Sequence, residues 1–190
     1  MLSFQELIAQ RQSIRHYTPE SLSEEQVVTI VEAGLRAPSS RSLRPWQFIV
    51  VDAPHLLHQL SECKPIGSTF VEHAAVAIVF VAEPYTSDTW VEDCSVAHTF
   101  MWLQAEALGL GACWVQLHQR TQTDGTPCAD FVADILNIPA GLQAHSILSI
   151  GHATHKHHKP ISQGELAWEK VHFNGMQNEA HETYQDLDIH

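Results

Sequence analysis

Apolar residues fall along this chain in two rhythms, helical clusters and short continuous runs. Phe4, Leu7 and Ile8 share a face behind the capping box Ser3-Phe4-Gln5-Glu6, which predicts a short helix ending near residue 11. A second capping box, Ser23-Glu24-Glu25-Gln26, opens a helix on which Val27, Ile30, Val31, Gly34 and Leu35 keep the period until Pro38 stops it. Leu56, Leu57 and Leu60 mark a weaker helix over 55–63, and another covers 128–136, closed by Asn137-Ile138-Pro139. Four continuous apolar runs, 47–51, 74–82, 112–117 and 146–151, read as buried strands. The second is apolar on both faces, which makes it central.

The longest predicted helix, 91–108, is the odd one. Val96, Ala97, Phe100, Met101, Leu103, Ala105, Ala107 and Leu108 leave it little polar face before Gly109-Leu110-Gly111 ends it. Such a helix is buried nearly all round, in a core or against another subunit. The stretch 64–70, with Pro65 and Gly67, reads as a loop. Past Gly151 comes a His- and Lys-rich loop over 152–160. Leu166, Trp168, Val171 and Phe173 then nearly alternate, as in an arm packed on a partner, and 174–190 is an acidic, frayed tail. No linker or repeat divides the chain, so 1–190 is read as one domain. Helices and strands mix without regular alternation, which predicts an α+β fold with a central, mostly antiparallel sheet flanked by helices.

Composition narrows the function. A net charge of -12, from 10 basic and 22 acidic residues, argues against a nucleic-acid binder. No apolar run reaches bilayer-spanning length and the N-terminus has no signal pattern. Cys63, Cys94, Cys113 and Cys128 have no paired or metal-like spacing and read as buried hydrophobes in a reducing compartment, so the cytoplasm is expected. In so acidic a chain a basic cluster is local and specific. Alternate residues of an extended segment point the same way, so Arg11, Ser13 and Arg15 can converge on one anionic group, which guanidinium binds with charge-assisted hydrogen bonds.

Arg-x-Ser-x-Arg, Ala-Pro-Ser-Ser before Pro-Trp-x-Phe-Ile-Val-Val, an Asp-x-Ser-x-Ala helix and Gly-Leu-Gly-x-Cys-Trp together resemble the nitroreductase family of FMN-dependent oxidoreductases. Ser149-Ile150-Gly151 with the basic loop to Pro160 is similar to that family's last strand and phosphate loop. The resemblance runs from about 10 to 173 and is strongest to the short, single-domain members. It implies an intertwined homodimer, long apolar helices packed together, with FMN held at the interface by both chains. It also implies a ping-pong cycle in which NAD(P)H reduces the flavin at N5 and a nitroaromatic, quinone or related small acceptor reoxidises it. Catalysis then belongs to the flavin rather than to a side chain.

Residue by residue, Arg11 and Ser13 match phosphate-binding positions and Arg15 the cationic position beside the flavin pyrimidine. Pro38, Ser39 and Ser40 match a loop lying along the ring and ribityl chain from the partner. Ser42 stands where the family commonly has Asn, and Arg44 where it commonly has Gln, so the resemblance implies a pyrimidine-edge contact that is either weaker or passed to Arg44. Trp114, Val115 and Gln116 match the segment whose backbone amides approach the ring, and they leave the N5 donor open. Gly151 closes the last strand, and Lys156 or Lys159 is the second phosphate cation. No Gly-x-Gly-x-x-Gly follows a strand, so no Rossmann dinucleotide site is expected.

Other residues take plainer readings. The tract from His152 to His158 contains a lysine that repels a cation, so it reads as a solvated loop rather than a metal site. Trp168 and His172 are read as packing of the tail, while Trp90 and Phe70 divide evenly between packing and the substrate wall. Asp93 is read as a helix N-terminal dipole partner, and Cys94 and Cys113 as inert. On the same fold the alternatives are a specialised flavin chemistry (dehalogenation, azole oxidation, flavin fragmentation) or a flavin-binding or delivery protein without turnover.

Overall fold

A computed structural model describes residues 3–155, 163–172 and 174–176. Residues 1–157 form one compact unit and 158–190 a second. In the first, helices α1 (Phe4–Gln10), α2 (Glu24–Leu35), α3 (Pro54–Ser61), α4 (Trp90–Ala107) and α5 (Cys128–Leu136) surround strands β1 (Trp46–Val51), β2 (Val76–Ala82), β3 (Gly111–Gln116) and β4 (Gln143–Gly151). The strands form one sheet in the order β1-β2-β4-β3, and every neighbouring pair is antiparallel. This is the α+β architecture expected. Both capping boxes form, with Ser3 and Ser23 accepting from the N–H of Glu6 and Gln26.

Period-two alternation sorts the sheet's side chains into two cores. Val79, Val81, Val115, Leu117 and Ile147 pack against Leu57 and Leu60 of α3 and Val132 of α5. Ile78, Phe80, Leu148 and Ile150 face Ile30 of α2 and Ala97, Met101 and Ala105 of α4. All seven residues of β2 are buried, as its double-sided apolar run predicts. Burial of each large side chain stabilises the fold by ~1.5–3 kcal/mol.

Four differences from the expected elements have physical causes. β4 begins at Gln143 rather than 146, because a bulge at Phe80/Val81 lets pairing continue to Gln143. The polar His145 interrupts the apolar run but is satisfied internally, so it stays in the sheet. A 3-10 turn at Thr69–His73 buries Phe70 and Val71 inside what reads as loop. α4 buries Asp93, His98 and Glu106 while Phe100 is 41% exposed, so its apolar residues do not all face this chain's own core.

In the second unit, 3-10 turns form at Gln163–Glu165 and Trp168–Lys170, and Leu166, Trp168 and Val171 are exposed. Lys156, Lys159, Pro160, Phe173 and most of the acidic tail lie outside the described residues. Among the described residues no helix is long and apolar enough to cross a membrane.

Candidate functional site

The outer edge of β3 is where the basic segment lands. Leaving α1, the chain runs along this edge: Ser13 bridges Ala112 in the parallel sense, and the Ile14 N–H donates to the Ala112 carbonyl at 3.0 Å. Further on, Tyr17 bridges Ala153 and the Thr18 N–H donates to the His152 carbonyl at 2.7 Å. Buried Ile14 and Tyr17 pin the segment, and the Tyr17 hydroxyl donates to the Ile14 carbonyl at 2.7 Å. Gly151 serves this contact: a Cβ there would sit 2.8 Å from the Tyr17 ring. The exposed side chains of Ser13 and Arg15 face outward between these anchors.

Two aromatic rings hold the arginines on opposite sides of the sheet edge. The Arg11 guanidinium carbon lies 4.6 Å from the Trp102 ring centroid on α4, and that of Arg15 lies 5.8 Å from Phe70 in the 3-10 turn. The buried thiol of Cys113 belongs to the same core as Phe70. Burial pushes that thiol up, opposed by the positive charges of Arg15, Lys64 and Arg11 and by a hydrogen bond from Ser13. Arg11, Arg15 and Lys64 enter none of the ion pairs among the described residues. Lys64 had no sequence signal beyond being one of few cations, directly after a helix.

The same edge carries backbone donors without a sheet partner among the described residues. Leu117 donates its N–H to His145 of β4 at 3.1 Å, whereas the Ala112 carbonyl points the other way, to Ile14. Alternation in an antiparallel ladder therefore turns the backbone groups of Trp114 and Gln116 outward and those of Val115 inward. Val115 is also 1% exposed, so of the three sequence candidates it belongs to the core.

Trp114 and Gln116 are fixed from behind. The indole N–H of Trp114 donates to Gln116 Oε1 at 2.8 Å, and Gln116 Nε2 donates to the His118 carbonyl at 3.1 Å. The Trp114 ring stacks on His98 with centroids 3.6 Å apart. His98 Nδ1 and His145 Nδ1 both meet the Ser146 hydroxyl, at 2.8 and 2.9 Å. Burial drives His98 well below the ordinary histidine range and His145 down to about 4, so both are neutral. Neither histidine was singled out in the sequence; a histidine inside an apolar helix was the available signal for His98.

The Pro-Ser-Ser loop forms elsewhere in the chain. The Ser40 N–H donates to Asp93 Oδ1 at 2.7 Å, and the Ser87 hydroxyl donates to Oδ2 at 2.9 Å. The Arg44 N–H donates to Ser39 Oγ at 2.9 Å. Arg41, Ser42 and Arg44 take left-handed φ of 52°, 57° and 49°, a conformation that non-glycine residues adopt at a cost. Pro38, Ser42 and Arg44 are exposed, and Arg41 pairs with Asp88. Asp93, read as a dipole partner, is thus the buried clasp of this loop. Asp93 and Trp102 are nine residues apart on α4, ~14 Å along the helix axis. One chain therefore presents the loop and the arginines at separate places.

Trp90, Phe70 and the cysteines are all buried. Trp90 starts α4, is 8% exposed and sits edge-on to His118 at 4.7 Å. All four cysteines are free and buried, and burial pushes the thiols of Cys63 and Cys94 up to about 12. They are not nucleophiles. Phe70, 9% exposed, is the floor under Arg15.

Comparison with known proteins adds to this geometry. The model of the Nitroreductase family matches residues 8–64 and 55–152. A protein of Archaeoglobus fulgidus, provisionally named NADH dehydrogenase/NAD(P)H nitroreductase, is 33% identical over 150 residues, 77% of this chain and 83% of the relative. One of the same name from Methanothermobacter thermautotrophicus is 33% identical over 153 residues, 77% of this chain and 75% of the relative. The solved structure of an FMN-dependent nitroreductase from Clostridium difficile R20291 superposes with a TM-score of 0.87 at 37% identity, covering 90% of this chain and 98% of that one.

Proposed function

The chain belongs to the Nitroreductase family, and on that premise we propose that it is an FMN-dependent NAD(P)H oxidoreductase working as a homodimer. The observation that carries the reading is the edge of β3. There Arg11 and Arg15, with no carboxylate partner among the described residues, flank outward backbone donors of Trp114 and Gln116. Those residues fit a flavin mononucleotide. Arg11 and Ser13 would hold the phosphate, and Arg15 would lie beside the pyrimidine. The N–H of Gln116 or Trp114 would face the ring, N5 included. When bound, the flavin supplies the redox chemistry, taking hydride from NAD(P)H at N5 and passing electrons to a nitroaromatic, quinone or related small acceptor in a ping-pong cycle.

The chain's own groups bind and tune. A cation beside the pyrimidine favours the negative charge that reduction brings, and neutral His98 keeps Trp114 stacked so the strand edge is fixed before the ligand arrives. A second copy supplies what one chain keeps apart. Val96, Phe100 and Leu103 line α4 half-buried or exposed, as a helix does when a partner covers it. Dimerisation through that face would bring Pro38, Ser39, Ser40, Ser42 and Arg44 of one protomer to the arginines of the other. Four unpaired thiols suit the cytoplasm.

The test is an absorbance spectrum of the purified protein, followed by anaerobic titration with NADH and then NADPH. Flavin bands that bleach with either nicotinamide and return with an acceptor are expected. A protein that stays colourless with added FMN overturns the reading. Flavin that neither nicotinamide reduces leaves a specialised flavin chemistry or a carrier role.

A further inference from the structure

Arg11 enters no ion pair among the described residues, and an aromatic ring stands where a carboxylate would. Its guanidinium carbon lies over Trp102, 4.6 Å from the ring centroid, within the range of a cation–π contact. A carboxylate would neutralise the guanidinium and occupy two of its N–H donors. The face of an indole does neither. A guanidinium resting on it keeps its full charge, and its N–H groups, which lie in its own plane, stay open to an anion.

Trp102 is itself held from the core outwards. His98 is fully buried between Phe80 and Trp114, with ring centroids 4.5 and 3.6 Å away and planes 19° and 23° from parallel. Four residues further along α4, Trp102 meets the His98 ring edge to face, with centroids 6.2 Å apart and planes at 60°. Helix α1 gives Arg11 no comparable hold, since none of its seven residues is buried. An arginine left free in water loses rotamer freedom when it binds a ligand, and a contact that orders it beforehand lowers that cost. The indole nitrogen of Trp102 is buried with no acceptor among the described residues, a penalty that an apolar side chain at this position would avoid. Stability alone therefore does not call for a tryptophan here.

We propose that Trp102 is a positioning residue of the cofactor site, seating Arg11 on its ring, charged and with its donors open, for the phosphate of FMN. This rests on the functional reading above. Trp102 acts through Arg11 and not on the isoalloxazine ring, so its loss falls on phosphate binding and leaves the redox chemistry alone.

The experiment compares the wild-type chain with Trp102→Met and Trp102→Phe, each alone and combined with Arg11→Ala. Affinities for FMN and riboflavin are read by fluorescence titration, and the midpoint potential of the bound flavin by equilibration with a reference dye. Trp102→Met keeps apolar bulk without a ring face and should weaken FMN about three- to thirtyfold. Riboflavin affinity and the midpoint should stay at their wild-type values, and Trp102→Phe should recover most of the FMN affinity. In the Arg11→Ala background Trp102→Met should cost nothing further. Trp102→Gln, also ringless at this half-buried position, serves if the methionine variant does not fold. Unchanged FMN affinity in the ringless variant overturns the inference. Equal losses for FMN and riboflavin do so too, as the mark of a ring that only supports the fold, and so does a full loss that persists without Arg11. A wild-type chain that binds neither flavin overturns the functional reading itself and the inference with it.

Discussion

The N–H of Ser40 and the carboxylate of Asp93 meet at 2.7 Å across 53 residues of sequence, and that contact fixes a loop with three left-handed non-glycine residues. A strained segment persists only where its surroundings hold it. Asp93→Ala leaves the Ser40 N–H and the Ser87 hydroxyl without their acceptor and should cost about 1–3 kcal/mol of unfolding free energy. Urea titration of the variant measures this. A loss below about 0.5 kcal/mol, the size of an ordinary surface change, would mean that the loop holds itself.

Arg11→Ala removes a charge-assisted contact to the phosphate. FMN affinity should fall by roughly 1.5–3 kcal/mol, while riboflavin, which lacks the phosphate, should bind as before. Fluorescence titration with both flavins decides it. Equal losses for the two would move Arg11 from the phosphate to the ring.

How much of this could be read from residues alone depends on which contacts are local. The capping boxes at Ser3 and Ser23 and the seven-residue core of β2 were legible because helix caps and double-sided burial leave signatures in adjacent positions. The landing of Arg11 to Arg15 on β3 was not, since the Ser13–Ala112 bridge joins segments about a hundred residues apart. Asp93 shows the same limit: its place at a helix start was readable, but its bond to Ser40 was not.

Phe100 projects from α4 with 41% of its surface open although its neighbours Ala97 and Met101 are fully buried. Phe100→Glu places a charge in the proposed subunit seam at little cost to the isolated fold. Sedimentation should find a dimer in the wild type and a monomer in the variant, with flavin lost from the monomer. A wild-type monomer that binds FMN would refute the shared site.

Gly111 lets the arginine segment lie against β3. A Cβ there would stand 2.6 Å from Ile14 Cγ2 and 2.8 Å from its Cβ, and a β-branched side chain has little room to turn away. Gly111→Ala should therefore push the Ser13–Ala112 bridge apart, at a cost of about 1–3 kcal/mol, and weaken FMN and riboflavin alike. Thermal unfolding with flavin titration tests both effects; full stability and full affinity would mean the segment can shift without harm.

The buried histidines make stability depend on pH in a definite direction. The Ser95 hydroxyl donates to the Val91 carbonyl at 2.7 Å, so toward His145 Nε2, 3.4 Å away, it can only accept. His145 therefore carries its proton on Nε2, and its bare Nδ1 accepts from the Ser146 hydroxyl. Ser146 in turn accepts from His98 Nδ1–H. This chain of donors works only with both rings neutral, and His98 Nε2 is left as a buried acceptor with no partner among the described residues. Protonation of either ring would bury a charge among Phe80, Trp90 and Trp114. In the unfolded chain both rings titrate near 6.5, whereas His145 in the fold does so at about 4 and His98 well below its ordinary range. The unfolded state then binds more protons below 6.5, so stability is full above that pH and falls as the solution is acidified toward 4. The gap for His145 alone corresponds to ~3 kcal/mol. Urea unfolding at pH 7.5, 5.5 and 4.5 should show a steady decline, shallower in His145→Asn. Equal stability at all three values would mean that the two rings accept protons inside the fold and that the Ser146 network runs in the other direction.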